Sequence, residues 1–257
     1  MTAIGVTPRR VVRSEWIKLG TLRSTTITFA VAVAAMIGVS VLVAWATVDN
    51  WATMPPADRR AIAVEEVVLS GRFVAQLAIG VLGVMAITGE YATGMIRATL
   101  AAVPRRLPVL WAKLGVYAAV TFALMLVASF AGFFAGNAVL AEHWDFQLSD
   151  PGVLRSVFGA AISLTLICVL GTALGFILRN TAGAISTLFA TLMVVPVIGE
   201  FLPALNKYLP TSAIDSLLTA RIEGDMLLQP LPAFLLLCAY VGAAVGGAVL
   251  VLLRRDA

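Results

Sequence analysis

Six apolar runs, each close to the thickness of a bilayer when helical, constrain this chain more than any other feature. They cover about residues 25–48, 67–88, 114–140, 153–178, 182–199 and 231–253. A hydrocarbon core about 30 Å thick takes roughly 20 apolar residues in a helix. Lipid offers no water to an open backbone, so each run is expected to be helical. Four or eight spans would require merging or cutting these runs. The fifth is the shortest and ends in Val195-Pro196-Val197-Ile198-Gly199-Glu200. Only 12% of the 257 residues are charged, 60% are hydrophobic, and the mean hydropathy is +0.97. A soluble domain carries about 25% charged residues. Too few polar groups exist to cover a water-exposed globule, which excludes disorder, a solvated coiled coil and an ordinary soluble enzyme. An all-α, polytopic membrane protein of six spans is left, as one membrane domain over residues 1–257.

Ala44-Trp45-Ala46 at the end of the first run resembles a signal-peptidase site. The run before it is about 18 residues, longer than the 7–15 of a signal peptide, and a long basic segment precedes it. A retained helix is the expectation.

The charges set the orientation. Lys and Arg collect in cytoplasmic loops. Arg9, Arg10, Arg13, Lys18 and Arg23 precede span one, and Arg97, Arg105, Arg106 and Lys113 lie between spans two and three. Arg179 sits between spans four and five, and Arg254 and Arg255 follow span six. The opposite side holds Arg59, Arg60, Arg155, Lys207 and Arg221. Both termini are therefore expected inside. Trp16 and Trp111 fall at inner boundaries, and Trp45, Trp51 and Trp144 at outer ones, where indole rings favour the headgroup zone. The net charge of +4 thus reads as topology, and no nucleic-acid partner is expected. Cys168 and Cys238 lie inside apolar runs without CxxC or metal spacing, so no metal site is expected.

Three segments outside the spans are informative. Residues 9–24 place Val11, Val12, Trp16, Leu19 and Leu22 on one helical arc, with Glu15 intruding on it. They read as an interfacial helix on the inner leaflet or as a basic topogenic tail. Residues 89–113 allow about two helical turns from Met95 to Val103, ended by Pro104. This is either a docking knob for a soluble partner or a loop that only tethers its spans. Residues 200–230 hold Leu202, Pro203, Leu205, Leu209, Pro210, Leu217 and Leu218. They suit short helices dipping back into the outer membrane, or an external loop with an apolar underside.

These segments carry a family resemblance. Ser14-Glu15-Trp16-Ile17-Lys18-Leu19 with Leu22-Arg23-Ser24 resembles the connecting helix of the transmembrane subunit of ABC-2 type ABC transporters, in their small six-span bacterial form. Gly89-Glu90-Tyr91, Gly94, Arg97, Thr99-Leu100 and Pro104-Arg105-Arg106, followed by Lys113, resemble that family's segment after span two, with Met95 where Thr is common. Leu209-Pro210 before Ile214 and Leu217 resembles its outer re-entrant region. The resemblance spans essentially the whole chain.

It implies a coupling helix near residues 94–104 that docks on an ATP-binding subunit. Glu90 and Arg97 would brace it, and Arg105 and Arg106 would face the partner or the headgroups. Gly94, Thr99, Leu100 and Pro104 belong to the same coupling set, and Trp16, Lys18, Leu19 and Arg23 to the interfacial helix. Two permease copies, identical or homologous, would form the path above two ATPases and work by alternating access. No GxxxxGK[ST] occurs, so ATP and Mg²⁺ would be held by the partner, and this chain binds no cofactor. The implied cargo is a hydrophobic or amphipathic drug, antibiotic, peptide or lipid.

Candidate chemistry is sparse. His143 stands alone near Glu142 and Asp145 and reads as solvated or interfacial. No catalytic constellation is expected. Arg72, about five residues into span two, either snorkels or pairs with Glu65, Glu66 or Glu200, or belongs to an outer gate. Gln76 lies one turn below it, and with Asn137 and Glu200 completes a candidate path. GxxxG occurs at Gly132/Gly136, Gly171/Gly175 and Gly242/Gly246, and serves packing within a subunit or between subunits. A membrane anchor or sensor without transport, and an intramembrane enzyme, are the other function classes.

Overall fold

The computed structural model describes residues 7–60, 62–103, 106–220 and 227–254, and every element among them is helical. Thirteen α-helices are described. They are α1 (Pro8–Thr21), α2 (Arg23–Asp49), α3 (Pro56–Arg60), α4 (Val64–Val67), α5 (Arg72–Ala92), α6 (Met95–Ala102), α7 (Leu107–Leu140), α8 (Val153–Leu178), α9 (Thr181–Phe189), α10 (Val195–Glu200), α11 (Pro203–Asn206), α12 (Pro210–Leu218) and α13 (Pro230–Arg254). A π-helical turn, Ala190–Val194, joins α9 to α10. Six units are long and apolar enough to cross a membrane: α2, α5, α7, α8, the continuous Thr181–Glu200 helix and α13. The chain is a multi-pass membrane protein.

Local chemistry explains the boundaries. Leu22, in an extended conformation, separates α1 from α2. Pro108 sits in the first turn of α7, where its missing N–H costs nothing, so α7 begins at Leu107, well before the apolar run. Pro196 lacks the donor that an α-helix needs and its ring crowds the carbonyl four residues back. The wider π turn just upstream lets the fifth span continue through it.

The start of span two differs from expectation. Residues 68–71 form a turn between α4 and α5, and α5 begins at Arg72. A Cβ on Gly71 would lie 2.0 Å from the Met36 carbonyl oxygen, and the Gly71 N–H donates to Ser40 Oγ. This close approach to α2 fixes the turn. Arg72 is thus the first residue of the span rather than five residues into it.

The main core joins α2, α5, α7 and α8 with α12, through residues such as Met36, Ile79, Met125, Leu164 and Leu217. The glycine pairs divide by role. Cβ atoms on Gly171 and Gly175 would press on Gly80 and Ile87 of α5, and those on Gly132 and Gly136 on Met36 and Val68. Gly242 and Gly246 meet nothing within 4 Å. The first two pairs serve packing within the chain.

The ends of the bundle are defined by contacts. Arg179, after α8, lies over the Tyr91 ring at the end of α5, and Arg106 donates to the Leu252 carbonyl near the end of α13. These meet the start of α7 and α1 at one end, here the α1 end. The other is the α12 end. Exposed indoles mark both, with Trp16 and Trp111 at the first and Trp45 at the second.

Candidate functional site

At the α1 end, four charges from three helices converge. Val11 and Glu15, one turn apart, form the buried face of α1, which packs on α7. Glu90 stands in the last turn of α5, and Lys113 in the second turn of α7. Lys113 Nζ lies 2.5 Å from Glu15 Oε2 and 2.9 Å from Glu90 Oε1. Lys18 Nζ lies 2.8 Å from Glu15 Oε1 and 2.9 Å from Glu90 Oε1. Each ammonium bridges both carboxylates, so the quartet carries no net charge. Lys113 Nζ also lies 5.6 Å from the centre of the Tyr117 ring. Glu15, Glu90 and Lys113 are buried, and the Lys18 side chain is 21% exposed.

Such burial is stable only while all partners stay. Removing one member of a buried pair costs about 3–5 kcal/mol, because an uncompensated charge remains. Mechanically, α1, α5 and α7 cannot part at this end without that penalty. One acceptor of the quartet is unused: Glu90 Oε2 is buried with no hydrogen-bond partner among the described residues.

α6 follows directly. Gly94, at φ 72°, takes the left-handed conformation that lets the chain turn from α5 into α6, and glycine does so without strain. Ile96 is buried in a second cluster with Ile87, Leu110, Phe176 and Leu252, and Leu100 packs against it. Arg97 is exposed and has no ion pair among the described residues. The Thr99 hydroxyl donates to the Met95 carbonyl. Glu90, one of the two residues expected to brace this helix, pairs with Lys18 and Lys113. Pro104 and Arg105 lie outside the described residues. Arg106 ties α7 to α13.

The interfacial set divides by face. Trp16 is 59% exposed, Arg23 is exposed, and Leu19 packs partly against the core. Lys18 belongs to the quartet. Glu15, the residue that spoiled the apolar arc, is what docks α1 on the bundle. That irregularity was the one sequence signal for the quartet, and Lys113, inside α7, completes it.

Arg72 is buried and donates to Asp215 Oδ1 of α12 at 2.8 Å, with its guanidinium 4.0 Å from the Phe73 ring centre. Asp215 replaces the expected carboxylates: Glu66 and Glu200 are exposed, and the side chain of Glu65 lies outside the described residues. Gln76 is buried one turn below. Asn137 staples the loop after α7, donating to Asp145 Oδ1 and the Phe146 carbonyl and accepting from the Phe146 N–H. Arg155 donates to the carbonyls of Ser216, Leu217, Thr219 and Ala220, closing the C-terminal end of α12 onto α8. The 200–220 region is therefore held by polar contacts as well as by its leucines. His143 meets the Trp51 ring edge-on.

No protein-family model and no curated protein matches this chain. The six apolar helices, the α1–α5–α7 quartet and the anchored α6 are the features that bear on function.

Proposed function

We propose that this chain is the membrane-spanning subunit of an ATP-driven exporter of the ABC-2 type, with α6 as the helix that docks on a separate ATP-binding subunit. The observation that carries the reading is α6 itself. It is a short helix between two spans, pinned by Ile96, and it leaves Met95, Arg97, Ala98 and Ala101 exposed beside a buried charge quartet. A surface pinned on one side and open on the other suits a partner that must push without unfolding it. The quartet ties the neighbouring α5 and α7 to α1, so a displacement of α6 reaches three elements together. The basic residues around this end support a cytoplasmic placement by the positive-inside bias. Two copies, with ATP and Mg²⁺ held by two partner ATPases, would form the path for a hydrophobic or amphipathic cargo. That cargo class rests on the resemblance alone.

The test is capture of the tagged, gently solubilised chain from its native membrane. An ATP-binding subunit is expected with it, and Arg97→Glu is expected to weaken that association while membrane insertion persists. Repeated recovery without any ATP-binding subunit overturns the reading in favour of an anchor or sensor. Unchanged association of Arg97→Glu moves the docking surface away from α6.

A further inference from the structure

Beside the quartet a cleft of about 190 Å³ opens between α2 and α5. Thr25 and Thr28 form one wall and Met85 and Gly89 the other; Glu90 and Lys18 stand at its polar end. Its walls are otherwise mostly apolar, and Leu22 and Met85 at its edges are 42% and 45% exposed. In a membrane protein, an apolar side chain so exposed on a spanning helix, as Met85 is on α5, faces lipid, and Leu22 lies at the junction of α1 and α2. The cleft thus joins the lipid-facing surface to a buried ionic group. At about 30 Å³ per water it has room for roughly six waters, which suits a headgroup and not a pair of acyl chains.

The polar end has one acceptor and one donor unused. Glu90 Oε2 has no partner among the described residues, although a carboxylate oxygen in a buried site normally accepts a hydrogen bond. Lys18 Nζ carries three protons and makes two hydrogen bonds among the described residues, to Glu15 and Glu90. Its partial exposure leaves the third for a ligand acceptor. Because the quartet is neutral, a ligand of zero net charge adds no uncompensated charge. We propose that this cleft binds an amphiphile whose head pairs a primary ammonium with a phosphate, as in phosphatidylethanolamine. The ammonium donates to Glu90 and the phosphate accepts from Lys18. The tails lie outside, along Leu22 and Met85. A trimethylated choline head has no proton to donate, and a glycerol head on a phosphate brings net negative charge.

Gly89 offers a clean block. A Cβ there meets nothing within 4 Å and Gly89 lines the cleft, so Gly89→Leu is expected to fill cleft space, and it replaces a glycine in the last turn of α5. Gly38, equally open but away from the cleft, provides the control Gly38→Leu.

The inference rests on the membrane reading and not on the ATPase. The experiment is native mass spectrometry of the full chain, delipidated in a non-ionic detergent and titrated with phosphatidylethanolamine, phosphatidylcholine or phosphatidylglycerol of equal short acyl length. Phosphatidylethanolamine is expected to bind about tenfold tighter than either, the worth of a charged hydrogen bond. Gly89→Leu is expected to lose that binding about tenfold with an unfolding temperature no lower than wild type, and Gly38→Leu to keep it. Equal binding of the three lipids, or Gly89→Leu binding like wild type, overturns the proposal. Failure of ATPase capture changes none of these readouts.

Discussion

Lys113 Nζ sits 2.5 Å from Glu15 Oε2, across 98 residues of sequence, and the two side chains are 1% and 0% exposed. This pair holds α1 against the bundle. Replacing Lys113 with Met keeps the volume and leaves Glu15 and Glu90 to share the cation of Lys18. The expected cost is about 3–5 kcal/mol, read as a fall in unfolding temperature in detergent. Glu15→Gln together with Lys113→Met should cost less than the two changes summed, since the double variant removes opposite charges. Additivity of the two would sink the idea of a coupled array.

At the other end Arg72 and Asp215 are 2.8 Å apart, but they are unequal partners. The Asp215 side chain is 45% exposed and the Arg72 side chain 8%. Water competes for the exposed carboxylate, so Asp215→Asn should cost about 1 kcal/mol or less. Arg72→Ala should cost more, about 1–3 kcal/mol, because the stacking on Phe73 and the filled volume go as well. Equal effects in a denaturation series would mean the ion pair alone matters. Under the exporter reading, an export assay with expression controlled asks the separate question of function: wild-type export by Arg72→Ala would remove this residue from the proposed transport path.

The six spans were legible because hydrophobicity over about 20 residues is a strong local signal. Four of the six spans kept both ends within two residues of expectation, as at Val153–Leu178. The starts of α5 and α7 moved further for reasons a hydropathy window does not see: Gly71 jammed against Met36, and Pro108 opening a helix seven residues ahead of Leu114. Charged partners were the least legible. Glu15, Glu90 and Lys113 meet through packing of three helices, and no spacing in the sequence announces a contact 98 residues long. Arg72 was recognised as unusual, but its carboxylate came from α12, which sequence separation hid. Asn137 bonds the loop that follows α7, a local contact that its polarity alone did not announce.

Gly83 and Gly242 both sit in spans, and the structure separates them. A Cβ on Gly83 would lie 2.3 Å from the Cys168 carbonyl oxygen, where α5 and α8 cross. Backbone cannot yield as a side-chain tip does, so Gly83→Leu should destabilise by at least the roughly 1–3 kcal/mol of ordinary overpacking. A Cβ on Gly242 would meet no atom of another described element within 4 Å, and Gly242→Leu should stay within about 0.5 kcal/mol of wild type. Thermal unfolding of the two variants side by side checks this. A Gly83→Leu protein as stable as wild type would mean the α5–α8 crossing is looser than described.

Ile96 is 2% exposed and is the deepest apolar anchor of α6. Truncating it to Ala removes contacts with the cluster around Ile87, Leu110 and Phe176, a change worth about 2–5 kcal/mol where a whole domain answers for it. α6 is only eight residues long and flanked by turns, so the loss should appear first as local opening. Limited proteolysis between Thr93 and Val103 should accelerate several-fold, with a smaller fall in the global unfolding temperature. Under the exporter reading, Ile96→Ala and Arg97→Glu should both weaken capture of the ATP-binding subunit, but only Ile96→Ala should also expose this segment to protease. A variant that opens α6 yet captures the partner at the wild-type level would show that the partner does not need α6 in place. Loss of capture by Arg97→Glu with an intact α6 would instead assign the contact to the exposed guanidinium itself.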